Sequence, residues 1–189
     1  YKQELRDTFG KVFIIPEGGA NFYGAQGCTE IVKEFPLLPD IVFTASGTGT
    51  TAAELLSAVI GKPTQIVSIP VLKADSSYIT NEIKRLLYYS FVDDELVSEI
   101  LEQLRVDAQY HFGGYAKINS TLVDFCNAIY EQFQLPLDLV YTSKMMYGFY
   151  EWVHQDKIPP NSKVVLLHTG GLIGNKGFTS SGKATLNYQ

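Results

Sequence analysis

Residues 40–51 read Asp40-Ile41-Val42-Phe43-Thr44-Ala45-Ser46-Gly47-Thr48-Gly49-Thr50-Thr51, and the run from Thr51 to Ile60 follows directly. A short β-branched and aromatic run, Asp40 to Thr44, is what a buried strand looks like. Two glycines then allow a sharp turn and a close approach of backbone to ligand. The next ten residues carry a helical pattern that stops at Gly61, with Pro63 just beyond. Strand, glycine loop and helix in this order build an anion site. The first turn of the helix has unpaired N–H groups and the positive end of its dipole, and the loop hydroxyls add donors. A phosphate is the anion that suits it best.

The same alternation continues outward. Lys11 to Ile15 reads as a buried strand ended by Pro16. Tyr23 to Phe35 reads as a helix on the spacing of Ala25, Cys28, Ile31, Val32 and Phe35. Gln65 to Ile69 predicts a third strand, and residues 77–90 and 93–104 predict two helices, the second capped by Asp93 or Asp94. Gln109 to Phe112 reads as a short strand, Ser120 to Phe133 and Lys144 to His154 as helices, and Lys163 to Leu167 as a final strand. Strands alternating with helices predict βαβ units and a doubly wound, mostly parallel α/β sheet in one domain spanning residues 1–189.

Composition removes several function classes. The net charge is −5 and the basic residues are scattered, so no surface gathers nucleic acid or anionic lipid. The apolar runs are too short for a membrane helix, and two cysteines are too few for a disulfide scaffold. A reduced, cytoplasmic protein is expected. No His/Cys/Asp spacing suits a metal, and no Gly-x-Ser-x-Gly elbow is present. Tyr1 to Leu5 reads as a helix already in progress, which predicts a chain that begins partway through a larger protein.

The loop Ser46–Thr51 lacks the lysine of a Walker A motif. Gly47, Gly49 and Ala52 do fit a dinucleotide fingerprint, which keeps a nicotinamide-dependent oxidoreductase open. That reading wants an acid at the end of the next strand, where Ile69-Pro70-Val71-Leu72-Lys73 has none. A non-catalytic protein that binds a phosphate metabolite also stays open. Two further glycine loops, Pro16–Asn21 and His168–Gly171, follow the first and last predicted strands and can converge on one pocket. The stretches Tyr110–Lys117 and Tyr141–Gly148 are rich in groups that bind anions or handle protons. With 12 tyrosines in the chain, any single one is more often a packed aromatic than a catalyst.

Taken together, Ile15-Pro16-Glu17-Gly18-Gly19, Ser46–Thr51, Tyr110-His111-Phe112-Gly113-Gly114-Tyr115, Tyr141-Thr142-Ser143-Lys144-Met145-Met146 and His168-Thr169-Gly170-Gly171 resemble the 1-aminocyclopropane-1-carboxylate deaminase and D-cysteine desulfhydrase family. The resemblance covers nearly the whole chain. It implies the tryptophan synthase β-like fold type II of pyridoxal-phosphate enzymes, usually a homodimer acting on a small amino acid. It implies that Ser46, Gly47, Thr48, Gly49, Thr50 and Thr51 cradle the cofactor phosphate. Tyr115 and Tyr141 would face the substrate, with Tyr141 assisting proton movement. Thr142 would meet the pyridine nitrogen, and the Thr169-Gly170 turn would close over the ring. The Glu17–Asn21 loop would form part of the wall on the substrate side.

Two departures from the family pattern matter. The Schiff-base lysine of the family lies in an N-terminal segment that this sequence lacks, so none of its lysines takes the role and the chain alone is expected to be inactive. Deaminases of the cyclopropane substrate resemble one another in having Tyr-Glu where this chain has Tyr141-Thr142. A hydroxyl is a neutral partner for the ring nitrogen and makes the ring a weaker electron sink. That points toward elimination of a good leaving group, as from D-cysteine.

Overall fold

The structure, a computed structural model, describes residues 1–188, without the side chains of Phe22, Ala25, Gln26, Cys28 and Thr29. It opens with helix α1 (Lys2–Phe9) and a 3-10 turn at Glu17–Gly19. Helix α2 (Phe22–Lys33) leads to strand β1 (Ile41–Ser46), helix α3 (Thr50–Ala58) and strand β2 (Gln65–Pro70). Helices α4 (Ser76–Leu87) and α5 (Asp94–Glu102) precede strand β3 (Leu104–Val106). Helices α6 (Ser120–Phe133) and α7 (Thr142–His154), strand β4 (Val164–Leu166) and helix α8 (Asn175–Ser180) complete it.

The four strands run in the order β3-β2-β1-β4, and every pairing is parallel. A parallel sheet covered on both sides needs apolar residues on both faces, and the strands supply them. Val42 and Ile66 face one way, onto Leu55 and Leu56 of α3 and Ile79 and Ile83 of α4. Ile41, Phe43, Val67 and Ile69 face the other way, onto Met145 and Trp152 of α7. Phe43 meets Trp152 edge-on with ring centroids 5.3 Å apart. The architecture is doubly wound α/β.

Strand order fixes where a ligand can sit. From β1 the chain steps sideways to β2 and β3, then crosses back through α6 and α7 to place β4 on the other flank of β1. The connections after β1 and β4 therefore leave in opposite directions, and a crevice opens between them at the carboxyl ends of the strands.

Several expectations are corrected. Residues 11–15 form no strand: Phe13 is 69% and Ile15 70% exposed, and among the described residues no strand lies beside them to accept their hydrogen bonds. The short strand is Leu104–Val106 rather than Gln109–Phe112. Helix α5 stops where the Gln103 amide turns to donate to the carbonyl of Thr64 at 3.0 Å. The following residues close into a 3-10 turn, Ala108–Tyr110, whose cap Asp107 accepts from the N–H of Gln109. Helix α7 starts at Thr142, two residues before the expected start. The helix expected at Tyr23–Phe35 is α2, and of the positions that predicted it the side chains of Ala25 and Cys28 lie outside the described residues.

Candidate active site

The crevice holds a cleft of about 960 Å³. Three glycine loops meet in it. Residues 45–51 form its floor, Pro16, Glu17, Gly18 and Ala20 one wall, and the Thr169–Gly171 turn another. Tyr115, Tyr141 and Asp138 complete that side, while Tyr78, Glu82 and Arg85 of α4 and Tyr89 in the turn after it form the rim. Among the described residues no lysine lines it. No cluster of three or more His, Cys, Asp or Glu side chains suited to a metal occurs among them either.

The floor is built by Gly49, the N-cap of α3, at φ 82°. That left-handed geometry turns the chain from β1 into the helix and suits glycine alone without strain. A Cβ there would reach Ile83 Cγ1 at 2.7 Å, so the bare face of Gly49 packs on α4 rather than opening into the cleft. The bare face of Gly47 lies against Tyr141, whose hydroxyl would sit 3.4 Å from an added Cβ. Gly18, at φ 63°, is pressed against the Thr48 side chain, which ties the first wall to the floor. The hydroxyls of Thr48 and Thr50 bond to one another at 2.9 Å. Ser46 is buried and accepts from the Ser68 hydroxyl of β2 at 2.7 Å, so it braces the floor from beneath. Thr51 lines the cleft in the first turn of α3. The helix gives these residues no side-chain cap of its own. Its first N–H groups are therefore available to an anion.

Tyr141 and Tyr115 meet edge-on, with centroids 6.0 Å apart at 74°. Burial, then the neighbouring Tyr115 and the charges of Asp138 and Glu17, pushes the Tyr141 phenol up to about 12. Tyr141 thus stays protonated at neutral pH and is a donor there rather than a base.

Asp138 is the hinge of this side. Its Oδ1 accepts from the N–H groups of Val140 and Tyr141, and its Oδ2 from the N–H and the hydroxyl of Thr142 at 2.7 and 2.6 Å. The Thr142 hydroxyl in turn accepts from the Asp138 N–H at 2.9 Å. Thr142 is fully buried and lies behind the cleft wall, while Asp138 lines it. Sequence reasoning overlooked Asp138. It lies six residues ahead of the expected helix start at Lys144 and four ahead of the observed one at Thr142, too far for a sequence reading to take it as the capping residue. Gly171 packs its bare face on the Asp138 carboxyl, 3.3 Å from an added Cβ, which joins the Thr169–Gly171 turn to the start of α7.

No family model matches the chain. A protein of Pyrococcus abyssi named provisionally as a 1-aminocyclopropane-1-carboxylate deaminase is 32% identical over 91% of this chain and 53% of its own length. The mitochondrial bifunctional D-cysteine desulfhydrase/1-aminocyclopropane-1-carboxylate deaminase of Arabidopsis thaliana is 27% identical over 92% of this chain and 45% of its own. The crystal structure of an ACC deaminase homologue superposes with a TM-score of 0.72 at 24% identity, over 95% of this chain and 55% of that one. The chain spans about half the length of the curated relatives it matches. With a fold type II architecture, it is related over nearly its whole length to the 1-aminocyclopropane-1-carboxylate deaminase and D-cysteine desulfhydrase family.

Proposed function

We propose that the protein carrying this chain is a pyridoxal-phosphate-dependent deaminase or desulfhydrase of small amino acids, with the cofactor phosphate held by Ser46–Thr51. One observation carries the reading: an uncapped helix start behind a left-handed glycine opens at the sheet's switch point, facing a tyrosine pair. The residues fit the group. Free N–H donors and two threonine hydroxyls suit a phosphate without any lysine, and the cleft has room for cofactor and a small substrate together.

When bound, pyridoxal phosphate withdraws electrons from the substrate's Cα, which allows a proton to leave there and a β-substituent to depart. The chain's own residues do the rest. The α3 N-terminus and the loop N–H groups fix the phosphate and so orient the ring. The Tyr141 hydroxyl, protonated at neutral pH, donates a hydrogen bond or a proton at the substrate, and Tyr115 packs across it. The Thr169-Gly170 turn and the Glu17 wall narrow the cleft and limit water. Assembly as a homodimer and a cytoplasmic location are part of the same proposal.

The preferred substrate follows from position 142. The Thr142 proton is committed to Asp138, and both Asp138 oxygens already accept two bonds each. Neither residue offers an unengaged carboxylate to a ring nitrogen, so the ring is a modest electron sink. Elimination of sulfide from D-cysteine is therefore favoured over opening a cyclopropane. Absorbance tests the cofactor reading: the intact protein given pyridoxal phosphate should show a visible-violet band that borohydride removes. A protein that shows no such band and binds a reduced nicotinamide instead would overturn it.

A further inference from the structure

Lys144 is fully buried, although a lysine is among the costliest residues to bury. It lies three residues beyond Tyr141, on the first turn of α7. Its ammonium does not line the cleft. It donates instead to the carbonyls of His111 and Gly114, at 2.9 and 2.7 Å. The same carbonyls accept from the N–H groups of Gly114 and Lys117, at 3.0 and 3.1 Å. The loop so gathered is an unusual one. Phe112, Gly113, Gly114 and Ala116 all have positive φ, of 52°, 94°, 119° and 53°. Two of these are not glycine, and such a run persists only where its surroundings hold it. Tyr115 stands at the apex of this loop, 56% exposed, with its ring against Tyr141.

We propose that Lys144 is a positioning residue: its ammonium grips the 111–115 loop through two carbonyls and so sets Tyr115 against Tyr141 across the cleft. The start of α7 then places both tyrosines, one directly and the other through Lys144. The proposal rests on the cofactor reading only for what the tyrosines face. Burial pushes the Lys144 amine down to about 8, opposed by the charge of Asp138, so the site bears a real desolvation cost. A methionine would fill the same space without that cost, yet would leave the loop ungripped.

The test compares Lys144→Met with wild type in the intact protein. Each carbonyl keeps its second, backbone donor, so the variant is expected to fold. Where it does not accumulate, Lys144→Gln, with one donor group on a shorter stem, serves for the same comparison. Amide exchange at Gly114 and Lys117 should speed up by about 10-fold or more, while exchange in β1 and β2 is unchanged. In wild type, Tyr115→Phe should lower kcat/KM for D-cysteine by about 10-fold or more. In the Lys144→Met background the same change should cost almost nothing, because Tyr115 has already lost its place. Unchanged exchange in the loop, or an undiminished Tyr115→Phe effect in the Lys144→Met background, overturns the proposal. Absence of the violet band in wild type would instead defeat the cofactor reading, and the exchange measurement would still judge the grip of Lys144.

Discussion

The hydroxyl of Thr142 gives its proton to Asp138 Oδ2 at 2.6 Å and accepts the Asp138 N–H at 2.9 Å, so the residue at the expected ring-nitrogen position is already engaged on both sides. This pair caps α7 and places Tyr141 at its N-terminus. It also ties a substrate prediction to a stability one.

The intact wild-type enzyme is expected to release sulfide and pyruvate from D-cysteine with a higher kcat/KM than it forms 2-oxobutanoate from 1-aminocyclopropane-1-carboxylate. Side-by-side kinetics decide this. Thr142→Glu alone should fail to reverse the preference, because a second carboxylate would be buried against Asp138, at a cost of about 2–4 kcal/mol. Urea unfolding measures that cost. Thr142→Glu combined with Asp138→Asn removes the repulsion and should recover stability and raise the relative rate on the cyclopropane. A wild-type preference for the cyclopropane would refute the argument from position 142.

Gly49→Ala should lower stability by about 1–3 kcal/mol and reduce the cofactor retained after dialysis. Its φ of 82° disfavours any Cβ, and the new atom would press on Ile83 Cγ1 at 2.7 Å. Ile83→Ala removes Cγ1 and so the contact but not the backbone strain, so Gly49→Ala should cost less in an Ile83→Ala background than in wild type. Equal cofactor content in wild type and Gly49→Ala would count against the cradle.

Glu54 of α3 is 2% exposed, and burial raises its carboxyl from 4.5 to about 7. A folded-state pKa above the unfolded one means that the contribution to stability is complete below about pH 4.5 and is lost as pH rises through 7. Glu54→Gln cannot ionise, so relative to wild type it should gain about 1–3 kcal/mol between pH 5 and pH 8. Urea midpoints at the two pH values provide the measurement. A gain independent of pH would show that Glu54 ionises as freely as an exposed carboxyl.

Much of this architecture was legible from residue order. Strands β1 and β2 are continuous apolar runs bounded by glycine or proline, and helix α6 keeps both its cap and its period, so its predicted span Ser120–Phe133 matches. The three glycine loops pointed to one cleft, and the structure brings them together there. What stayed hidden depends on partners distant in sequence. Residues 11–15 have strand composition, but a strand needs a neighbour, and composition does not reveal whether one is present. Strand β3 is three residues long, too short to show alternation. The grip of Lys144 on His111 and Gly114 spans 33 and 30 residues, and nothing local marks that lysine as buried.

Tyr141→Phe should leave cofactor content unchanged and lower kcat for D-cysteine by about 10-fold or more, since it removes a proton donor and no packing. The phenol is raised to about 12, so the wild-type rate should show no step from its ionisation between pH 6 and pH 9. A step in that range that vanishes in Tyr141→Phe would mean that this hydroxyl works as a base.

The phosphate cradle is the claim on which the rest depends, and a crystal structure of the intact protein with pyridoxal phosphate bound tests it most directly. The cofactor phosphate should lie within hydrogen-bond reach of the backbone N–H groups of Gly47–Thr51, at the N-terminus of α3. A phosphate seated elsewhere, with that helix start facing only water, would contradict the account.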